Sequence, residues 1–159
     1  MKLLMIWRAT PMLRLVQGDV GCGKTMIALM AMLQASENDY QSVLMAPTEL
    51  LAEQHYQNFC QQLADLPIKI GWLASSIAAK EKKVILSAIA DGEIDMIIGT
   101  HAVFQKQVEF ARLGLIVVDE QHRFGVKQRL SLREKGTTSP HQLVMSATPI
   151  PRTLSLIHI

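Results

Sequence analysis

The chain predicts a three-layer α/β domain with a mainly parallel central sheet, and three observations carry that expectation. Its strand-like runs are continuously apolar rather than alternating, as strands buried on both faces must be. Segments with a helical apolar period separate those runs. The unusual polar clusters follow directly on the ends of the runs, where functional loops of a parallel sheet collect. At 159 residues and 49% hydrophobic content the chain is the size of one domain with a sizeable core.

Taken in order, Met12 to Gln17 reads as a buried strand, and Gly18-Asp19-Val20-Gly21-Cys22-Gly23-Lys24-Thr25 follows it. Two glycines with four residues between them, then Lys and Thr, let the backbone curl until successive N–H groups face a polyphosphate. Met26 to Leu33 is helix-forming, so the loop opens onto a helix N-terminus with a partial positive charge. Ser36 to Tyr40 is a polar turn, and Ser42 to Ala46 is a strand ended by Pro47. Thr48 is placed as an N-cap. Beyond it Ala52, Tyr56, Phe59, Cys60 and Leu63 share one helical side, with Glu53, Gln54, Gln57, Gln61 and Gln62 around the other.

Pro67 closes that connection and Ile68 to Leu73 is the next strand. Lys80 to Ala90 reads as a helix with Val84, Ile85, Ala88 and Ile89 inward, ended by Asp91-Gly92. Its Lys80, Glu81, Lys82 and Lys83 read as a solvated face in preference to a DNA-binding patch. Ile94 to Ile98, Leu115 to Val118 and Gln142 to Met145 complete the strands.

Composition excludes several classes. A net charge of +2, from 16 basic and 14 acidic residues, is too near balance to announce nucleic acid, so any such contact must be local. Cys22 and Cys60 form no metal-ligand spacing and no disulfide framework, and the five histidines show no zinc-site spacing. The apolar run from Met1 to Trp7 is cut by Arg8 too soon for a secretory leader, and no run is long enough to span a membrane. A soluble, cytoplasmic protein without a membrane partner is expected.

The strand ends carry the chemistry. Lys24 is the candidate ligand of the β- and γ-phosphates, and the Thr25 hydroxyl a candidate Mg²⁺ ligand. Asp119, emerging from four apolar residues, can hold Mg²⁺ directly or through water. Glu120 beside it can take the proton of the water that attacks the γ-phosphate. Gln121 and His122 are donors able to sense that phosphate from the same loop. Ser146 and Thr148 offer two small hydroxyls that can link the metal loop to whatever moves when phosphate leaves, although Ser-Ala-Thr alone is more often a turn or cap. Pro47-Thr48-Glu49 and Thr100-His101 suit a sugar-phosphate backbone, yet on spacing alone plain helix caps explain them better.

Together these stretches resemble the first motor domain of superfamily 2 helicases, a RecA-like P-loop NTPase fold, and among them the RecG family. The resemblance rests on Arg14 to Thr25, Met45 to His55, Gly99 to Ala102, Asp119-Glu120-Gln121-His122-Arg123-Phe124-Gly125-Val126 and Met145 to Leu154. The transcription-repair coupling factor is similar over the last two stretches but typically has Glu where Gln121 stands, and its corresponding domain is the alternative, as is a nucleotide-switched binding module without turnover.

What the RecG likeness implies is an ATP-driven, Mg²⁺-dependent translocase on double-stranded DNA that remodels branched DNA in recombination and repair. It assigns Pro47, Thr48, Glu49, Thr100 and His101 to DNA-facing loops, and Ser146 with Thr148 to coupling hydrolysis to movement. It also implies that the strand before Ser146 lies between the phosphate-loop strand and the Asp119 strand. The likeness covers residues 11–154 as the ATP-binding domain; 1–10 and 155–159 do not resemble the family. Neither the wedge domain that grips a branch nor the second motor domain with its arginine fingers is expected within this stretch, so it alone is expected to turn over little ATP. Cys22 stands where the family commonly has Ser, a tolerated small residue.

Overall fold

The computed structural model describes residues 11–19, 21–119 and 139–147. The apolar runs form strands β1 (Leu13–Gln17), β2 (Gln41–Met45), β3 (Ile70–Leu73), β4 (Met96–Gly99), β5 (Leu113–Asp119) and β6 (His141–Ser146). They pair in parallel in one six-stranded sheet, ordered β1-β6-β5-β2-β4-β3. Every residue of β2 and β4 is buried, and β5 is exposed only toward its last residue, which is why these runs carry no polar alternation.

Successive strand residues divide between two cores because side chains alternate across a sheet. Leu44, Ile98, Val117 and Met145 face helices α1 (Lys24–Glu37) and α2 (Glu49–Gln62), meeting Met32, Ala35, Ala52 and Phe59. Val43, Met45, Ile97 and Val118 face α3 (Ala79–Ala90) and a short 3₁₀ turn (His101–Phe104), meeting Ile89, Ala102 and Val103. Helices therefore cover both faces, the three-layer arrangement expected from the sequence.

Three local features differ from the sequence reading. Val84 is 66% exposed, and Leu86 takes its place beside Ile85 and Ile89 against the sheet. The apolar stripe runs through positions 85, 86 and 89, and Val84 falls a step outside it. The 3₁₀ turn at His101–Phe104 had no periodic signal because it is too short to show one. Gln41, between the expected turn and the expected strand, begins β2 inside the core at 5% exposure. Its amide donates to the carbonyls of Ile89 and Ile94, both at 2.9 Å, and its oxygen accepts from the Arg112 N–H at 3.0 Å.

Candidate nucleotide and nucleic-acid site

Parallel strands send all their carboxyl ends to one rim, and the strand order sets which loops are neighbours there. Along that rim stand the loop after β1, Ser146 of β6, Asp119 of β5, the 47–49 loop after β2 and the 100–101 loop after β4. The β6 strand lies between β1 and β5, as the family resemblance implied. The tips of β1 and β5 are thus two strand spacings apart, about 10 Å.

Gly21 and Gly23 both have φ near 85°, the left-handed region that side-chain-bearing residues resist. A Cβ at Gly18 would run into the Cys22 thiol as it is placed here. The Gly18 N–H donates to the Ser146 carbonyl at 3.3 Å and stitches the loop to β6. Gly23 is the N-cap of α1 and contributes no capping side chain, and the first turn holds no acidic residue, so nothing there repels an anion. The Lys24 ammonium folds back over the loop, donating to the carbonyls of Gly18 (2.5 Å) and Asp19 (2.7 Å) and lying 3.8 Å from the Cys22 sulfur. A phosphate oxygen, fully charged, is a stronger acceptor than either neutral carbonyl. Thr25 follows in the first helical turn, half-buried, while Asp19 and Cys22 are exposed. Val20 lies outside the described residues.

Asp119 ends β5 and is half-buried. Its Oδ2 is 2.8 Å from Nε2 of His55, on the inner side of α2. An ionised carboxylate only accepts, so the imidazole donates from Nε2. Sequence reasoning assigned His55 no role. The available signal was its spacing from Ala52 and Phe59, three and four residues along the buried face of the helix. Glu120, Gln121, His122 and Thr148 lie outside the described residues, and Ser146 is buried at its strand end.

On the other half of the rim, Thr48 is the N-cap of α2, its hydroxyl accepting from the Leu51 N–H at 3.3 Å. Glu49 is exposed in the first turn and Pro47 is half-buried. The Ala46 N–H donates to the Gly99 carbonyl at 3.0 Å, which ties the 47–49 loop to the 100–101 loop. His101 is exposed, with Nε2 3.4 Å from the Ser75 hydroxyl. Thr100 is 2% exposed, and its hydroxyl has no hydrogen-bond partner among the described residues.

Two groups have shifted acidities, and both lie away from the phosphate loop. Burial lowers the pKa of His141, whose Nδ1 accepts from the Met12 N–H at 3.1 Å. Burial, and then the nearby Cys60, raises that of Tyr56, whose ring is tilted against Trp72.

A left-handed glycine loop opening a helix, with an aspartate on the same rim of a parallel sheet, defines a P-loop domain of RecA-like architecture. The model of the DEAD/DEAH box helicases matches residues 6–157, and the chain belongs to that family. It is 57% identical over 149 residues to the ATP-dependent DNA helicase RecG of Escherichia coli (strain K12) and 56% identical to that of Pasteurella multocida (strain Pm70). Each alignment covers 92% of this chain but 22% of the relative, so the chain spans about a fifth of the length of these proteins. A solved structure of RecG bound to a three-way DNA junction superimposes with a TM-score of 0.78 at 41% identity, over 92% of this chain and 19% of that one.

Family membership implies ATP use, and the described residues fit a triphosphate. The glycine curl, an α1 N-terminus without an acidic group and the Lys24 ammonium are all suited to phosphate oxygens. A divalent cation fits as well. Among the described residues no group of three or more His, Cys, Asp or Glu could cage a metal. Mg²⁺ needs no such cage, because one or two protein oxygens, phosphate oxygens and water satisfy it. Among the described residues no helix is long and apolar enough to cross a membrane.

Proposed function

We propose that this chain is the ATP-binding motor domain of a RecG-like DNA helicase or translocase, which remodels branched DNA in recombination and repair and couples ATP hydrolysis to duplex movement. The motor domain comprises residues 11–154, with 1–10 and 155–159 as atypical flanks. One observation carries the reading: the phosphate loop, Ser146, Asp119 and the 47–49 and 100–101 loops stand in that order along a single rim. A nucleotide half and a nucleic-acid half then adjoin at Asp119. The RecG structure on a three-way junction supports branched DNA as the partner.

In this reading Gly18 to Thr25 hold the phosphates by backbone N–H groups and Lys24. Thr25 and Asp119 would hold Mg²⁺, which supplies charge neutralisation on the phosphates. Glu120 accepts the proton of the attacking water, and Gln121 and His122 sense the γ-phosphate. Ser146 bears on the phosphate loop through its carbonyl bond to Gly18 and, with Thr148, relays its state. Pro47, Thr48, Glu49, Thr100 and His101 belong to the loops that face the DNA backbone. A second motor domain would complete the transition-state charge stabilisation, and a wedge domain would grip the branch. The compartment is the cytoplasm.

The test is binding of a fluorescent ATP analogue to the chain with Mg²⁺, with and without a three-way junction. Lys24→Ala removes a charge-assisted contact, and affinity should fall about 10- to 100-fold. Unchanged affinity in that variant would refute the nucleotide site, and nucleotide binding indifferent to the junction would count against a DNA motor. Joined to a second motor domain, the chain should release phosphate faster with junction DNA, and Glu120→Gln should abolish that release.

A further inference from the structure

We propose that His55 is a positioning residue for Asp119: it aims the carboxylate at the divalent cation and ties it to the helix that starts at the 47–49 loop. The inference rests on the reading of Asp119 as a cation ligand and adds the residue that sets its orientation.

The contact is short, 2.8 Å, and largely out of solvent, with 11% of the His55 side chain and 16% of the Asp119 side chain exposed. His55 donates to Oδ2, so Oδ1 keeps its lone pairs for a cation or its water. The imidazole ring packs edge-on to Phe59, with centroids 6.2 Å apart, and Phe59 is fully buried. That packing restrains the ring, and the contact ties the carboxylate to the helix. Hydrogen-bond partners of metal ligands commonly set metal affinity, and their loss costs about 10- to 100-fold.

The position of His55 gives the contact a second consequence. It lies on α2 about two turns, roughly 10 Å, beyond the Thr48 cap. Asp119 stands at the boundary between the nucleotide half and the nucleic-acid half of the rim, and His55 reaches it from the nucleic-acid side. The two helical turns between them move as one body, so a shift of Thr48 and Glu49 on contact with DNA carries His55, and with it the Asp119 carboxylate.

The experiment titrates Mg²⁺ against binding of a fluorescent ATP analogue to the chain, its His55→Phe variant and its His55→Gln variant. Phe keeps the ring and loses the donor; Gln keeps an N–H where Nε2 stood. The Mg²⁺ midpoint should rise about 10-fold or more in His55→Phe and return to near the parent value in His55→Gln. Affinity in EDTA should be the same in all three. Equal midpoints in the three proteins would overturn the proposal. So would a loss in His55→Phe of the same size with and without Mg²⁺, which marks a structural role alone. Should His55→Phe not fold, His55→Asn keeps a polar side chain whose shorter amide falls short of Oδ2 and should show the same rise, and a parent-like midpoint in it would be equally fatal. A parent chain whose nucleotide binding ignores Mg²⁺ would overturn the reading of Asp119 itself, an outcome distinct from equal midpoints.

Discussion

At the amino-terminal rim of the sheet, polar side chains close off backbone groups. Gln41 bonds Ile89, Ile94 and Arg112, Asp95 accepts from the Lys69 N–H at 2.8 Å, and His141 accepts from Met12. At the carboxyl rim, apart from the Thr48 cap on the Leu51 N–H, they do something else. Lys24 lies over the carbonyls of its own loop, His55 bonds another side chain in Asp119, and the Thr100 hydroxyl is buried with no partner among the described residues. The first rim uses polarity to complete the fold, since buried backbone groups must be paired. The second keeps donors and acceptors that a ligand can recruit. Polar residues at the two ends of the same strands thus answer to different demands, and substitutions should separate stability from binding accordingly.

The largest separation is expected at Gln41. Gln41→Leu leaves the Ile94 carbonyl and the Arg112 N–H without their Gln41 partner, while the Ile89 carbonyl keeps its bond from the Gly92 N–H, and unfolding free energy should drop by about 2 kcal/mol, at roughly 1 kcal/mol for each orphaned group. Denaturant titration measures that loss, while the nucleotide affinity of the folded fraction should stay at the parent value. A change in affinity without a change in stability would erase the distinction between the rims.

Thr100→Val tests the opposite rim and should act with the opposite sign. It removes a desolvated hydroxyl that has no partner among the described residues, so stability should hold or rise by up to about 1 kcal/mol. A loss of stability would mean that the hydroxyl is bonded in the folded protein.

The smallest effect is a pH dependence at His141. Its folded pKa is lowered from 6.5 by burial, so the unfolded chain takes up the proton first as pH falls. The stability it contributes is fully present above 6.5 and is lost as pH drops through the lowered folded value. Protonation also removes the acceptor that holds Met12. Denaturant midpoints at pH 7.5 and 5.5 should differ in the parent chain and differ less in His141→Phe; equal slopes would assign the dependence to other groups.

How much of this was legible in the sequence follows the same division. The glycine curl, Lys24 and Asp119 at its strand end could be read directly, because backbone geometry and position after an apolar run leave few alternatives. The Thr48 cap was legible for the same reason. His55 was not, since its partner stands at the tip of a strand 64 positions away in the chain. Gln41 was missed because its partners are in two distant segments, around 89–94 and at Arg112, and a polar residue beside a turn looks solvated. The helical stripe at Lys80 to Ala90 was read one position out of phase at Val84, where a single apolar residue beside the stripe shifts its apparent centre. Local pattern reports which face is apolar; it does not report which polar side chain that face will meet.

The most direct measurement is a crystal structure of the chain with Mg²⁺ and a non-hydrolysable ATP analogue. Lys24 should have left the Gly18 and Asp19 carbonyls for the β- and γ-phosphates, and Asp119, still bonded to His55, should reach the same Mg²⁺ directly or through one water. A triphosphate seated on the loop with its cation out of reach of Asp119 would contradict the single nucleotide site on which the proposed function depends.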